Sequence, residues 1–157
     1  MEIDNKKFNK IKKFAEEFYK TVEQIYCPYF KETINFNVRG LNHIKMKSWN
    51  KARAQKDQYM RFKLIHLAPE IIRASHTLQG YSKTKEFIRK KINNRWEKIL
   101  IDVNYYDFMA IIRDVRLRII IKEISGGQKF FWSIIPFWRM NKKRTKRLLY
   151  DGDPDRD

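Results

Sequence analysis

The sequence predicts an α+β domain in which N-terminal helices pack on one face of a four-stranded antiparallel β-sheet meander. Three observations carry this prediction. Apolar residues recur at three- and four-residue spacing near the N-terminus, short alternating segments separated by turn residues take over from about residue 83, and residues 115–138 fold into one long hairpin. Helices followed by strands is the order of an α+β domain, because the apolar face of the sheet needs a helical layer to cover it. The domain is expected to span residues 1–138, with a helical half at about 4–78 and a sheet half at about 83–138.

Phe8, Ile11, Phe14, Ala15, Phe18, Val22, Ile25 and Tyr29 form the stripe of an amphipathic first helix, with Asp4 as its N-cap and Pro28 at its end. Ile34, Phe36 and Val38 alternate with Asn35, Asn37 and Arg39 in an extended piece that stops at Gly40. Residues 41–66 read as helical pieces, and Pro69 suits the first turn of a short helix over 69–76, where its missing amide has no partner. Strands follow at 87–92, 96–103 and 105–113, with a turn at Asn93 and Asn94; residues 85–91 are also compatible with a helix.

The hairpin turns at Gly126 and Gly127, since glycine takes positive φ at no steric cost. Counting outward pairs Lys122 with Phe131, Ile120 with Ser133 and Arg118 with Ile135, and directly paired residues share a face. Leu117, Ile119, Ile121, Phe130, Trp132 and Ile134 then form a core face. The other face carries Arg116, Arg118, Lys122, Lys129 and Ser133, with Phe131 and Phe137 between them as surfaces on which bases can stack. Residues 139–157, beginning with Arg139, run from basic to acidic and are expected to form a mobile tail.

The 157 residues carry 35 Lys and Arg against 18 Asp and Glu, a net charge of +17, yet 43% are hydrophobic and 15% aromatic. That composition excludes a disordered basic tail and describes a folded cation, whose field attracts polyanions, nucleic acid first among them. The single cysteine, Cys27, is expected in the core and requires no oxidising compartment. No apolar run reaches membrane-spanning length and no signal peptide is visible, so the expected location is the cytoplasm, with no membrane partner. Cys27, His43, His66 and His76 have no metal-binding spacing, and Walker and dinucleotide fingerprints are lacking, so neither metal nor cofactor is expected.

Metal-free RNA cleavage needs a base, an acid and cations around the phosphorane. In NVRGLNHIKMK, His43 follows Arg39, and helical spacing would set Lys47 on the same side, so that one helix end presents an imidazole beside an ammonium. The alternative is a histidine satisfied within a helix–strand junction. Arg118 and Lys122 flank Ser133 diagonally on the basic face, at a spacing suited to holding one phosphate.

The strings FNVRGLNHIKMK, YYDFMAII and IKEISGGQKFFWSIIP, with this order of elements, resemble the phage and mobile-element branch of the barnase, EndoU, colicin and RelE nuclease superfamily. The resemblance implies helices followed by a four-stranded antiparallel sheet and a metal-independent endoribonuclease, in some members a toxin. It implies His43 as general base or acid with Arg39 beside it, and Lys122 and Ser133 on the polar sheet face. No second histidine of the EndoU type is present, leaving Lys47, Tyr106 or Lys122 as candidates for the acid. The expected function is therefore RNA cleavage by 2'-hydroxyl attack, with Lys47, Arg116, Arg118, Lys129, Phe131 and Arg139 binding RNA. Two alternatives stand beside it: a non-catalytic RNA- or DNA-binding protein using the same face, and an adaptor for an acidic protein such as an antitoxin or immunity protein.

Overall fold

A computed structural model of the chain describes residues 3–48, 50–112 and 115–136. Helix α1 (Asn5–Val22) begins as predicted, with the Asp4 carboxylate accepting from the Lys6 amide at 3.1 Å. Phe8, Ala15 and Tyr19 are its buried residues, whereas Phe14 is exposed. The helix stops at Val22, earlier than its periodicity suggests, because Glu23 adopts a positive φ of 58° and the chain enters a strand. That strand, β1 (Gln24–Cys27), pairs antiparallel with β2 (Glu32–Asn35), so sheet pairing overrides the helical repeat at Ile25. Cys27 is buried, as expected.

Helix α2 (Val38–Lys45) is capped by Asn37, whose side chain accepts from the Gly40 amide at 3.2 Å. Gly40 therefore lies inside a helix, where the sequence suggested the end of an extended piece. Its role is close approach: a Cβ here would lie 2.2 Å from the Phe131 carbonyl oxygen and 2.7 Å from the Tyr19 hydroxyl. A small hairpin of β3 (Met46–Ser48) and β4 (Lys51–Ala52) follows, then α3 (Gln55–Leu64), a 3-10 turn (Ile65–Leu67) and α4 (Ala68–Ala74). Pro69 occupies the first turn of α4, as predicted.

The remaining strands are β5 (Gly80–Ile92), β6 (Arg95–Ile112), β7 (Val115–Ile124) and β8 (Phe130–Pro136). They form the predicted antiparallel meander, but the sheet is larger and mixed: its order is β1-β2-β8-β7-β6-β5, and β2 joins β8 in parallel. The helical alternative at 85–91 gives way to β5. Asn93 and Asn94, both at positive φ, turn the chain into β6, which runs through Asn104 without the break expected there.

At the β7–β8 hairpin the far half of the predicted register holds, with Arg118 opposite Ile135 and Ile120 opposite Ser133. Between Ile120 and Ile121 a bulge shifts the pairing by one residue, so Lys122 faces Phe130 and not Phe131. The shift exchanges the faces of three aromatics. Phe131 enters the main core, stacked on Phe36 at 4.9 Å, while Phe130 and Trp132 turn to the other side. It follows that Phe131 is not a surface for base stacking. The main core lies between the helices and the sheet, and the opposite sheet face holds a second apolar cluster of Val103, Tyr105, Ile120 and Ile135. Strand β7 is thus buried on both faces, where the sequence suggested one solvated basic face. Phe137 and the tail, including Arg139, lie outside the described residues. Among those described, no helix is long and apolar enough to cross a membrane.

Candidate functional site

The second face of the sheet opens into a cleft of about 810 Å³ between α2–β3 on one side and β5 on the other. Arg39, His43, Lys47 and Lys122, all singled out in the sequence, line it together with Glu86, Arg89 and Trp132. Arg39 and Lys47 are exposed at its rim. They come from different elements, since α2 ends at Lys45 and Lys47 belongs to β3; His43 and Lys47 are therefore not presented by one helix end. Pairing of β3 with β4 begins at Met46 and ends the helical spacing there.

Lys122 lies on the floor, nearly buried. Its ammonium is 3.0 Å from Glu86 Oε2 and 3.3 Å from Oε1, and it sits over the Trp132 ring, 3.9 Å from the centroid. The Tyr105 hydroxyl donates to the same Glu86 carboxylate. Carboxylate, phenol and ammonium thus form one hydrogen-bonded group. Against Trp132 lies the His43 ring, stacked at 3.9 Å and 18° and only 6% exposed. Arg53 Nη2 is 3.0 Å from His43 Nε2, and Arg53 Nε donates to the His43 carbonyl at 2.8 Å. A guanidinium only donates, so Nε2 is assigned as the acceptor and the ring proton to Nδ1.

From Arg53 the network continues away from the cleft. Asp57 accepts from Arg53 at 3.4 Å and from Arg61 at 2.8 Å, and Arg61 donates to Ser133 Oγ at 2.6 Å and to the Ile134 carbonyl at 3.3 Å. Ser133 is fully buried at the end of this chain. It does not line the cleft, and Arg118 and Lys122 do not hold a phosphate against it. The Arg118 guanidinium is bound by Asp107, with both side chains largely buried. Arg116 is exposed opposite Ile111, near the start of β7 and far along the strand from Lys122.

Lys129 is also paired, bridging Glu32 and Glu123, the latter at 2.7 Å. Burial works against the Lys129 charge, but the hydrogen bonds and charges of Glu123 and Glu32 outweigh it and raise its pKa. Burial likewise opposes the Glu123 carboxylate, yet hydrogen bonds from Lys129 and Asn104, with the Lys129 charge, hold it below the usual carboxylate range. Tyr106, beside this pair, is pushed up to about 12 by burial and by the neighbouring Glu123. Of the cations predicted on that face, Arg118, Lys122 and Lys129 are therefore held in ion pairs whose acids come largely from other strands, and Arg116 is exposed.

Glu86, Tyr105, Trp132, Arg53, Asp57, Arg61 and Arg89 are among the cleft and network residues that sequence reasoning did not assign to a site. Glu86 left a signal: on a strand it shares its face with Thr84 and Ile88, and a carboxylate on the inner face of a strand needs a partner. Among the described residues, no group of three or more His, Cys, Asp or Glu is placed to hold a metal ion. Comparison with protein-family models, curated proteins and solved structures gives no match for this chain.

Proposed function

We propose that the cleft binds single-stranded RNA and cleaves it without a metal ion. The observation that carries this reading is the Glu86–Lys122 couple, 3.0 Å apart on the floor of a cleft edged by Arg39, Lys47 and Arg89. The excess of cations over the one carboxylate favours a phosphate chain, with Arg39 and Lys47 holding the backbone, Lys122 facing the scissile phosphate and Arg89 at the outer edge where β5 leaves the cleft. Glu86 takes the proton of the 2'-hydroxyl as its oxygen attacks phosphorus. The P–O5' bond breaks, and the leaving oxygen takes a proton from the Lys122 ammonium. Products are a 2',3'-cyclic phosphate and a 5'-hydroxyl. Because protonated Glu86 and neutral Lys122 remain hydrogen-bonded, one proton transfer between them restores the starting state. His43, held between Trp132 and Arg53, positions the indole against which Lys122 rests.

A second reading, RNA binding without cleavage, draws on the engagement of His43 Nε2 by Arg53, which gives that histidine a structural partner. Labelled RNA incubated with the purified protein in EDTA separates the two. The first reading expects cyclic-phosphate ends, lost in Glu86→Gln with RNA still bound. Salt-sensitive binding that leaves RNA intact selects the second reading, and cleavage that survives Glu86→Gln but not His43→Ala returns the base to the histidine.

A further inference from the structure

Strands β5 and β6 extend well past the rest of the sheet. Strand β7 pairs with β6 only as far as Val103, and apart from a backbone hydrogen bond from the Ser125 amide to the Asp102 carbonyl, residues 85–92 and 95–102 pair with each other alone. They form a two-stranded ribbon roughly 26 Å long at the usual strand rise. One face, with Glu86, Ile88, Ile99 and Ile101, is half-buried and continues into the cleft; the other is exposed. Register assigns the exposed face the pairs Lys85–Asp102, Phe87–Leu100, Arg89–Lys98 and Lys91–Trp96.

This strip is unusual for a solvated surface. Phe87 is 71% exposed, Trp96 65% and Leu100 48%, and four cations accompany them against the single acid Asp102. Among the described residues, none of Lys85, Arg89, Lys91 and Lys98 makes an ion pair. Phe87 and Trp96 stand two cross-strand pairs apart, about 13 Å along the ribbon, with Arg89 and Lys98 between them. Exposed rings separated by cations match a strand of unpaired nucleotides, whose bases stack on the rings while intervening phosphates meet the cations. A bilayer fits less well, because inserting the rings would drag the alternating cations out of water. Arg89 also borders the cleft, so the strip and the cleft meet at one residue.

We propose that the exposed face of this ribbon is a second binding surface for single-stranded RNA, on which Phe87 and Trp96 stack bases from the RNA segment that leaves the cleft. The proposal rests on the RNA-binding reading of the cleft for its substrate class, but the two surfaces are separable. Fluorescence anisotropy with labelled 2'-O-methyl oligonucleotides, which lack the attacking hydroxyl, tests it with one strand of about six nucleotides and one of about eighteen, lengths chosen around known single-strand site sizes. The variant is Phe87→Ser with Trp96→Ser, two exposed positions, and its melting temperature is expected to stay at the wild-type value.

The double variant is expected to lose about tenfold or more in affinity for the long strand per stacked base removed. Its affinity for the short strand stays at the wild-type value, and duplexes of equal length bind alike with or without the rings. Unchanged affinity for the long strand overturns the proposal. So does a variant that loses binding to anionic phosphatidylserine vesicles, or to a poly-glutamate peptide, while RNA binding is unaffected. Arg39→Glu with Lys47→Glu tests the cleft separately: if it spares short-strand binding while the ribbon variant weakens long-strand binding, the cleft reading fails and the ribbon stands.

Discussion

Replacing Gly40 with alanine tests the packing that sets α2, and with it Arg39 and His43, against the sheet. In an exposed helix this change is favourable by about 1 kcal/mol, because alanine has the better helix propensity. Here the added Cβ would fall 2.2 Å from the Phe131 carbonyl oxygen, a backbone atom of β8 that cannot swing aside, and 2.7 Å from the Tyr19 hydroxyl. Overpacking of this kind costs about 1–3 kcal/mol. Displacing Tyr19 also endangers its 2.6 Å hydrogen bond to the Asn37 carbonyl, at about 1 kcal/mol more. Together these outweigh the helical gain and leave a net loss of about 1–3 kcal/mol. Urea denaturation of Gly40→Ala should show a lower midpoint at an unchanged slope, and a Tm lower by several degrees. A variant more stable than the wild type would refute the close approach of α2 to β8, since that is the result for a helix standing free.

Two further outcomes follow from the ion pairs and the buried network. Lys129→Met should destabilise the fold at neutral pH by about 2 kcal/mol, reckoned mainly on Glu123, because Glu32 is 43% exposed and solvent screens it. The lowered pKa of Glu123 gives stability present above the ordinary carboxylate range and lost as pH falls through its folded value. The raised pKa of Lys129 gives stability complete below the ordinary lysine range and lost as pH rises through its folded value. The gap between wild type and variant should therefore be widest near neutrality and narrow towards both extremes; a gap independent of pH in urea titrations contradicts the pairing. Ser133→Arg should cost about 4 kcal/mol or more, since it forces a second guanidinium against Arg61 in a fully buried site. A variant that circular dichroism shows folded and melting like the wild type would place Ser133 on an open face after all.

Local chemistry was enough to read several elements. Asp4 caps α1, Pro69 opens α4, Asn93 and Asn94 reverse the chain, and strands 5 to 8 form an antiparallel meander, because each depends on neighbours in the chain or on a repeat of two or about three and a half residues. Arg39, His43, Lys47 and Lys122, picked out from the residue pattern, line one cleft, whereas Ser133 and Arg118, expected beside them, lie outside its lining. Sequence did not reveal β1, because a helical repeat and a short strand compete at Ile25 and only pairing across the sheet decides between them, while the extended piece expected from Ile34 overlaps β2 only at Ile34 and Asn35.

The bulge at Ile120 and Ile121 shows the limit most directly. Counting from Gly126 and Gly127 fixes the far pairs of the hairpin, yet a single extra residue sends Phe131 inward and Trp132 outward, and so moves the aromatic wall of the site. Charge behaved in the same way. The sequence by itself determined a folded, strongly basic α+β chain with an antiparallel meander and a large excess of cations. Tertiary structure alone decided which of those cations are held in ion pairs and which line the cleft: Asp107, Glu32 and Glu123 engage Arg118 and Lys129, whereas Arg39, Lys47 and Arg89 border the cleft that holds the Glu86–Lys122 couple. The physical reason is that ion pairs form through space, between strands distant in the chain, and the field that a ligand meets is what remains after they have formed.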